Sequence, residues 1–159
     1  MKRIVLVVVF FISLAANAQS NSFLVSNNKL IWENVFISSE TNIPAIIARH
    51  SRLKIVSSNA TIFKGTGTDL RNTCPGTSSF MKDDISFDFE IEMSDGKYRV
   101  TVTNLVYKKA DKNGKKTAAE NYFIKDGGII TDATITADLT CLDKYFNKIF
   151  TTGAYKNRS

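Results

Sequence analysis

Histidine is almost absent from this chain: His50 is the only one in 159 residues, and cysteine occurs only at Cys74 and Cys141. No Cys or His pair has metal-ligand spacing and no Asp-rich loop matches a calcium site, so the sequence offers no metal centre. His50 stands between Arg49 and Ser51-Arg52 with no carboxylate nearby, which suits a solvated histidine at a helix end better than a general acid or base. Glycine is sparse, and the paired glycines of Gly65-Thr66-Gly67-Thr68 run into Asp69-Leu70-Arg71-Asn72. A phosphate-cradling loop would need a fuller glycine pattern running into a helix. No catalytic residue, cofactor motif or nucleophile-base pair emerges.

Apolar runs of membrane-spanning length are missing too. Ile4 to Ala16 is almost wholly apolar but well short of the roughly 20 residues that span a bilayer. With Lys2 and Arg3 before it and Ala16-Asn17-Ala18 after it, Met1 to Ala18 reads as a secretory signal peptide cleaved after Ala18. The mature chain is expected to be periplasmic or secreted, with no further membrane span. Two of the 21 basic residues leave with the leader, so the net charge falls from +6 to +4. Such a mild excess serves solubility, and contact with nucleic acid is not expected of an exported chain. In an oxidising compartment Cys74 and Cys141 would form a disulfide worth about 4 kcal/mol before strain. Two buried thiols, or two cysteines too far apart to bond, remain the alternatives.

What is present in strength is a hairpin. Ile85, Phe87, Phe89, Ile91 and Met93 alternate with Ser86, Asp88, Glu90, Glu92 and Ser94, the period of a strand with one buried face. Asp95-Gly96 supplies a two-residue turn, expected to be type I′. That register sets Met93 against Tyr98, Ile91 against Val100, Phe89 against Val102 and Glu92 against Arg99. Past Val102 the bulky residues are Leu105 and Tyr107, so a β-bulge is expected near Thr103-Asn104, with Phe87 facing Leu105 and Ile85 facing Tyr107.

In order, Gln19 to Lys29 reads as a flexible lead-in in which Phe23-Leu24-Val25 could add a short edge strand. A single domain spans Leu30 to Gly153, and Ala154 to Ser159 is a polar, basic tail that frays. Leu30 to Ile37 is a strand, and residues to about Arg49 form a short helix with Pro44 in its first turn and Ile43, Ile46 and Ile47 on its apolar face. Leu53 to Ser57 and Asn59 to Lys64 follow as strands. Gly65 to Asp84 reads as one long surface loop containing a Pro75-Gly76 turn. Lys108 to Lys116 carries five lysines and reads as a solvated tip, or else as a patch for an acidic partner. Glu120 to Lys125 would be the last strand. Thr134 to Thr136 would cap a helix over Ala137 to Thr152, with Leu139, Leu142, Phe146, Ile149 and Phe150 as its core stripe and Gly153 as its stop.

The order β-α-β-β-β-β-β-α predicts an α+β fold, a curved antiparallel sheet with two helices packed on one face and the other face open. IWENVFI, IFKGTG at Ile62 to Gly67, and above all FEIEMSDGKYRVTVTNLVY with its DGKYR turn resemble an uncharacterised bacterial envelope family, a domain of unknown function with a TBP-like fold. The resemblance covers Leu30 to Phe150, though the first helix is shorter than that family's usual one. It implies the TBP-like sheet and no assigned activity, so it carries over no catalytic residue. TBP itself binds DNA through its sheet face; the signal peptide and the Asp88, Glu90 and Glu92 stripe argue against that use here.

Two functions fit these readings. One is a non-enzymatic envelope protein that binds a protein or small ligand through the open face, with Asp88, Glu90, Glu92, Arg99 and Thr101 as contacts and the Gly65 to Asp84 loop beside them. The other is a hydrolase acting on envelope glycans or peptides through Asp88 and Glu90.

Overall fold

The structure, a computed structural model, describes residues 22–38, 42–74, 78–109 and 114–151. The leader with its cleavage site, the Pro75-Gly76 turn, the Gly153 stop and the 154–159 tail lie outside them. Seven strands make one antiparallel sheet: β1 (Phe23–Ser26), β2 (Lys29–Ile37), β3 (Leu53–Ser58), β4 (Ile62–Arg71), β5 (Asp84–Ser94), β6 (Lys97–Lys108) and β7 (Lys116–Ala118). They lie in the order β1-β2-β6-β5-β4-β3, and β7 pairs with the far end of β6. Helix α1 (Ile43–Ala48) packs beside β3, and α3 (Ala133–Phe150) lies across the sheet. The one-turn α2 (Glu120–Phe123) and a small hairpin, β8 (Ile124–Lys125) and β9 (Gly128–Ile129), link β7 to α3. The expected α+β class and its antiparallel sheet are as observed. No described helix is long and apolar enough to cross a membrane.

The central hairpin pairs as its alternation dictates, with Glu92 opposite Arg99, Ile91 opposite Val100, Phe89 opposite Val102 and Ile85 opposite Tyr107. The extra residue on β6 falls where it was expected. Asn104 takes it up in the left-handed region at φ 51°, which asparagine tolerates. Turn chemistry differs from expectation: only Gly96 has positive φ, at 68°, so Asp95-Gly96 is not type I′. The turn with two left-handed central residues is Asn27-Asn28, at 49° and 61°. It makes Phe23–Ser26 an edge strand with Phe23 opposite Trp32 and 5% exposed, so from Phe23 onward the stretch assigned to the lead-in belongs to the sheet.

Three further expectations are corrected. Gly65 to Arg71 is strand, not loop, because the glycines answer to cross-strand aromatic rings. A Cβ on Gly65 would sit 2.8 Å from Phe89 Cε1, and one on Gly67 would sit 2.7 Å from Phe87 Cζ, so glycine is what lets those rings lie over β4. Glu120 to Lys125 is not one strand. It is a helical turn that buries Phe123 and Ala119 and then starts a hairpin reversing at Asp126 and Gly127, both left-handed. Finally, α3 begins at Ala133 because Asp132 accepts the Ile135 N–H at 2.8 Å, an aspartate cap at the positive end of the helix.

The stripe on α3 is the centre of the core. Phe146 packs against Trp32 at 5.3 Å and Phe87 at 5.2 Å between ring centroids, and Phe150 against Phe89 at 5.5 Å. Polar bonds fix the helix in place: Trp32 Nε1 donates to Asp143 Oδ1 at 2.8 Å and the Tyr98 hydroxyl to the Phe150 carbonyl at 2.6 Å. Cys74 and Cys141 form a disulfide across 67 residues with Cα atoms 5.7 Å apart. It ties the segment after β4 to α3 and removes loop entropy from the unfolded chain worth about 4 kcal/mol.

Tyrosines hold the same segment. Tyr107 is buried with its hydroxyl on Met81 Sδ at 3.4 Å, and Tyr145 donates to the Arg71 carbonyl at 3.1 Å. Burial, reinforced by the charge of Asp138, pushes Tyr107 well above the usual tyrosine range; burial beside Asp84 pushes Tyr145 up to about 12.

Two outcomes follow from this packing. Gly65→Ala should lower unfolding stability by about 1 to 3 kcal/mol, through the clash with Phe89 and the Lys54 carbonyl; a urea midpoint equal to the parent's would contradict the packing. Because the folded tyrosines titrate above the unfolded value near 10, their stabilisation is complete below about pH 10 and declines as pH rises through about 12. Chemical unfolding at pH 9 and pH 11.5 should show a loss that Tyr145→Phe reduces.

Candidate binding surface on the open sheet face

Alternation decides which side chains face away from α3. On β5 these are Asp88, Glu90 and Glu92, while Phe87, Phe89 and Ile91 are buried. On β6 they are Arg99, Thr101 and Thr103, while Tyr98, Val100 and Val102 are buried. All five residues singled out by sequence, Asp88, Glu90, Glu92, Arg99 and Thr101, therefore share one face. The neighbouring strands extend it, since Glu33 lies opposite Thr101 and Lys64 opposite Glu90.

The face is laid out in cross-strand rows. Val35, Arg99, Glu92 and Ile62 form one row; Glu33, Thr101, Glu90 and Lys64 form the next. Arg99 grips Glu92 through Nη2 and through Nε at 2.7 Å, and Lys64 Nζ lies 2.6 Å from Glu90 Oε2. Hydrogen bonding and charge from those carboxylates raise both cations above their ordinary range. Asp88 accepts from Asn104 Nδ2 at 2.7 Å, so the bulge residue itself orients the third carboxylate.

Bulges shape the surface. β4 and β6 each carry an extra residue opposite the same part of β5, with Asp69 and Asn104 left-handed. Asp69 donates its N–H to Ser86 Oγ at 2.9 Å and takes Lys108 Nζ at 3.1 Å. A third irregularity on β3 falls at Val56, which is 68% exposed. Bulges bend and twist the strands that carry them. The open face accordingly holds a depression of about 500 Å³ over Asp88, Glu90, Thr101 and Thr103, walled by Lys64 and Val56. A second, of about 350 Å³, lies beside it between Val35, Glu92, Lys97 and Arg99.

The described residues between Arg71 and Asp84, 72–74 and 78–83, are not part of this surface. Asn72 bonds the Met81 carbonyl, Cys74 joins α3, the Ser78 N–H donates to Asp138 Oδ1 at 3.3 Å, and Phe80 stacks on Tyr122 at 4.0 Å. These contacts fold them against the helices. Among the described residues of the expected loop, Gly65 and Thr66 reach the depression, and they do so as strand residues. Lys64, Thr66, Thr103 and Val56 are not among the contacts singled out by sequence, although the alternation of β6 marks Thr103 as outward. Val56 needed the β3 bulge, which has no local signal.

Among the described residues no group of three or more His, Cys, Asp or Glu is placed to hold a metal. Asp88 and Glu90 are each engaged, by Asn104 and Lys64.

No family model matches the sequence, and no curated protein matches it. Solved structures do. The chain is similar to a TBP-like protein from Parabacteroides distasonis, with a TM-score of 0.54 at 17% identity over 82% of this chain and 95% of that one. It is equally similar to a DUF4468 family protein from Bacteroides ovatus, with a TM-score of 0.54 at 15% identity over 87% and 94%. The fold is TBP-like. At these identities the likeness is one of architecture, and it agrees with the resemblance carried by the DGKYR hairpin.

Because the Glu92–Arg99 pair is half-exposed, a Glu92→Gln, Arg99→Gln double-mutant cycle should give only the small coupling of a surface ion pair. It should fade at 1 M salt, where screening acts over about 3 Å. A coupling undiminished at 1 M salt would show that the pair holds the fold together rather than decorating its surface.

Proposed function

We propose that this chain is an exported, non-enzymatic binding protein whose open sheet face takes a protein segment or small ligand. The observation that carries the reading is the depression of about 500 Å³ on that face, a volume within the range of ligand sites. It lies over backbone that needs no packing partner there, since α3 already covers the other side. Its chemistry is mixed: carboxylates and cations fixed in pairs, threonine hydroxyls between them, and the exposed apolar side chains Leu24, Val35 and Ile37 on the β1–β2 side. Such a surface offers hydrogen bonds in fixed positions and apolar contact at its border, which suits recognition better than bond cleavage. A signal peptide over Met1 to Ala18 and the Cys74–Cys141 disulfide support placement outside the cytoplasm.

The test is affinity capture from native envelope extract with the purified protein as bait, beside a Glu92→Lys, Arg99→Glu variant of verified fold. The expected result is a component held by the parent and lost, by roughly tenfold or more, from the variant. Identical captures would remove the open face from the account, and hydrolysis of an envelope glycan or peptide that Asp88→Asn abolishes would replace binding with catalysis.

A further inference from the structure

At the rim of the sheet, away from the open-face depressions, three arginines converge. Arg49 and Arg52 come from the turn between α1 and β3, and Arg71 from the end of β4; with His50 and Tyr145 they line a shallow depression of about 250 Å³. The turn is held rigidly by backbone bonds. The Arg49 and His50 N–H groups donate to the Ile46 and Ile47 carbonyls, the Leu53 N–H to the His50 carbonyl at 2.9 Å, and the Thr68 N–H to the Arg52 carbonyl at 3.0 Å. From the other side the Tyr145 hydroxyl fixes the Arg71 carbonyl at 3.1 Å. Three elements far apart in sequence thus bring the cations to one place.

Their charges are not spent within the fold. Lys29, Lys64, Arg99 and Lys108 each have a carboxylate within ion-pair distance. Among the described residues Arg49, Arg52 and Arg71 have none. Asp84 lies opposite Arg71 across β4 and β5, and three arginines beside this carboxylate leave an excess of positive charge. Like charges gathered on a rigid frame repel one another, and an anion relieves that repulsion.

We propose that this depression binds a phosphoryl group, as inorganic phosphate or as a phosphomonoester headgroup. Guanidinium is planar and presents paired donors that match the oxygens of phosphate. A tetrahedral dianion can engage three such forks at once, whereas a carboxylate has only two oxygens to share. The His50 ring adds a further donor at the edge. The site shares no lining residue with the open-face depressions and stands apart from the reading of that face.

The experiment is an NMR titration of the purified protein with potassium phosphate against potassium chloride at matched ionic strength, following the arginine side-chain and 49–52 amide signals. It is run beside Arg52→Gln, Arg71→Gln and beside vesicle co-sedimentation on phosphatidylcholine with and without phosphatidic acid. Expected are saturable phosphate shifts confined to residues 49–52 and 71, half-complete on the order of 1 mM, and at least roughly tenfold weaker in the double variant at unchanged Tm. Binding only to phosphatidic acid vesicles, lost in the variant, assigns the phosphoryl group to a lipid headgroup. No localised shift and no vesicle binding, or equal behaviour of parent and variant, overturns the proposal and leaves a solvated basic rim.

Discussion

Phe146 and Phe150 reach from α3 onto Trp32, Phe87 and Phe89, and the rings of Phe87 and Phe89 lie over the space that Gly65 and Gly67 leave on the neighbouring strand. Every large ring in this seam depends on the next. A buried aromatic side chain contributes on the order of 1.5 to 3 kcal/mol, and the tilted and edge contacts between rings add about 0.5 to 1.5 kcal/mol each. The constraint runs from helix to sheet to glycine, so the docking register of α3 is set by where those rings fit. The disulfide from Cys141 to Cys74 and the Trp32 bond to Asp143 then hold that register at the two sides of the helix.

With the core confined to one face, the other is released from packing. Side chains there are free to serve as chemistry, and the bulges on β3, β4 and β6 give them a concave floor rather than a flat one. The carboxylates do not stand as a bare acidic stripe, because Lys64, Arg99 and Asn104 neutralise or orient each of them. A DNA-binding sheet of the same general fold would need a surplus of positive charge on this face; here, among the described residues, the arginines without an ion-pair carboxylate lie at the rim instead.

Much of this was legible because strand alternation is strict. Ile85 to Met93 against Tyr98 to Tyr107 gave register, buried face and the bulge at Asn104, and the five outward residues followed from the same parity. Elements that failed to show themselves depend on partners distant in sequence. Gly65 and Gly67 resemble loop glycines until Phe89 and Phe87 are placed across from them. Glu120 to Lys125 has strand-like side chains, yet burial of Phe123 and Ala119 turns it into a helical corner. Asn27-Asn28 did carry a local turn signal, and its polarity masked it as part of a lead-in. Arg71 lies 19 residues beyond Arg52 in sequence, and no spacing rule announces that they meet.

The claim at the centre is that the open face is covered by something other than solvent where the protein works. Carbodiimide footprinting in intact cells, compared with the purified protein, reads this directly by the extent of modification at Asp88, Glu90 and Glu92, with the exposed Asp126 of the β8–β9 turn as internal reference. The account predicts that the three β5 carboxylates are protected in cells several-fold relative to Asp126 and become reactive on purification. Equal modification in both settings would contradict it and leave the face as plain solvent-exposed sheet.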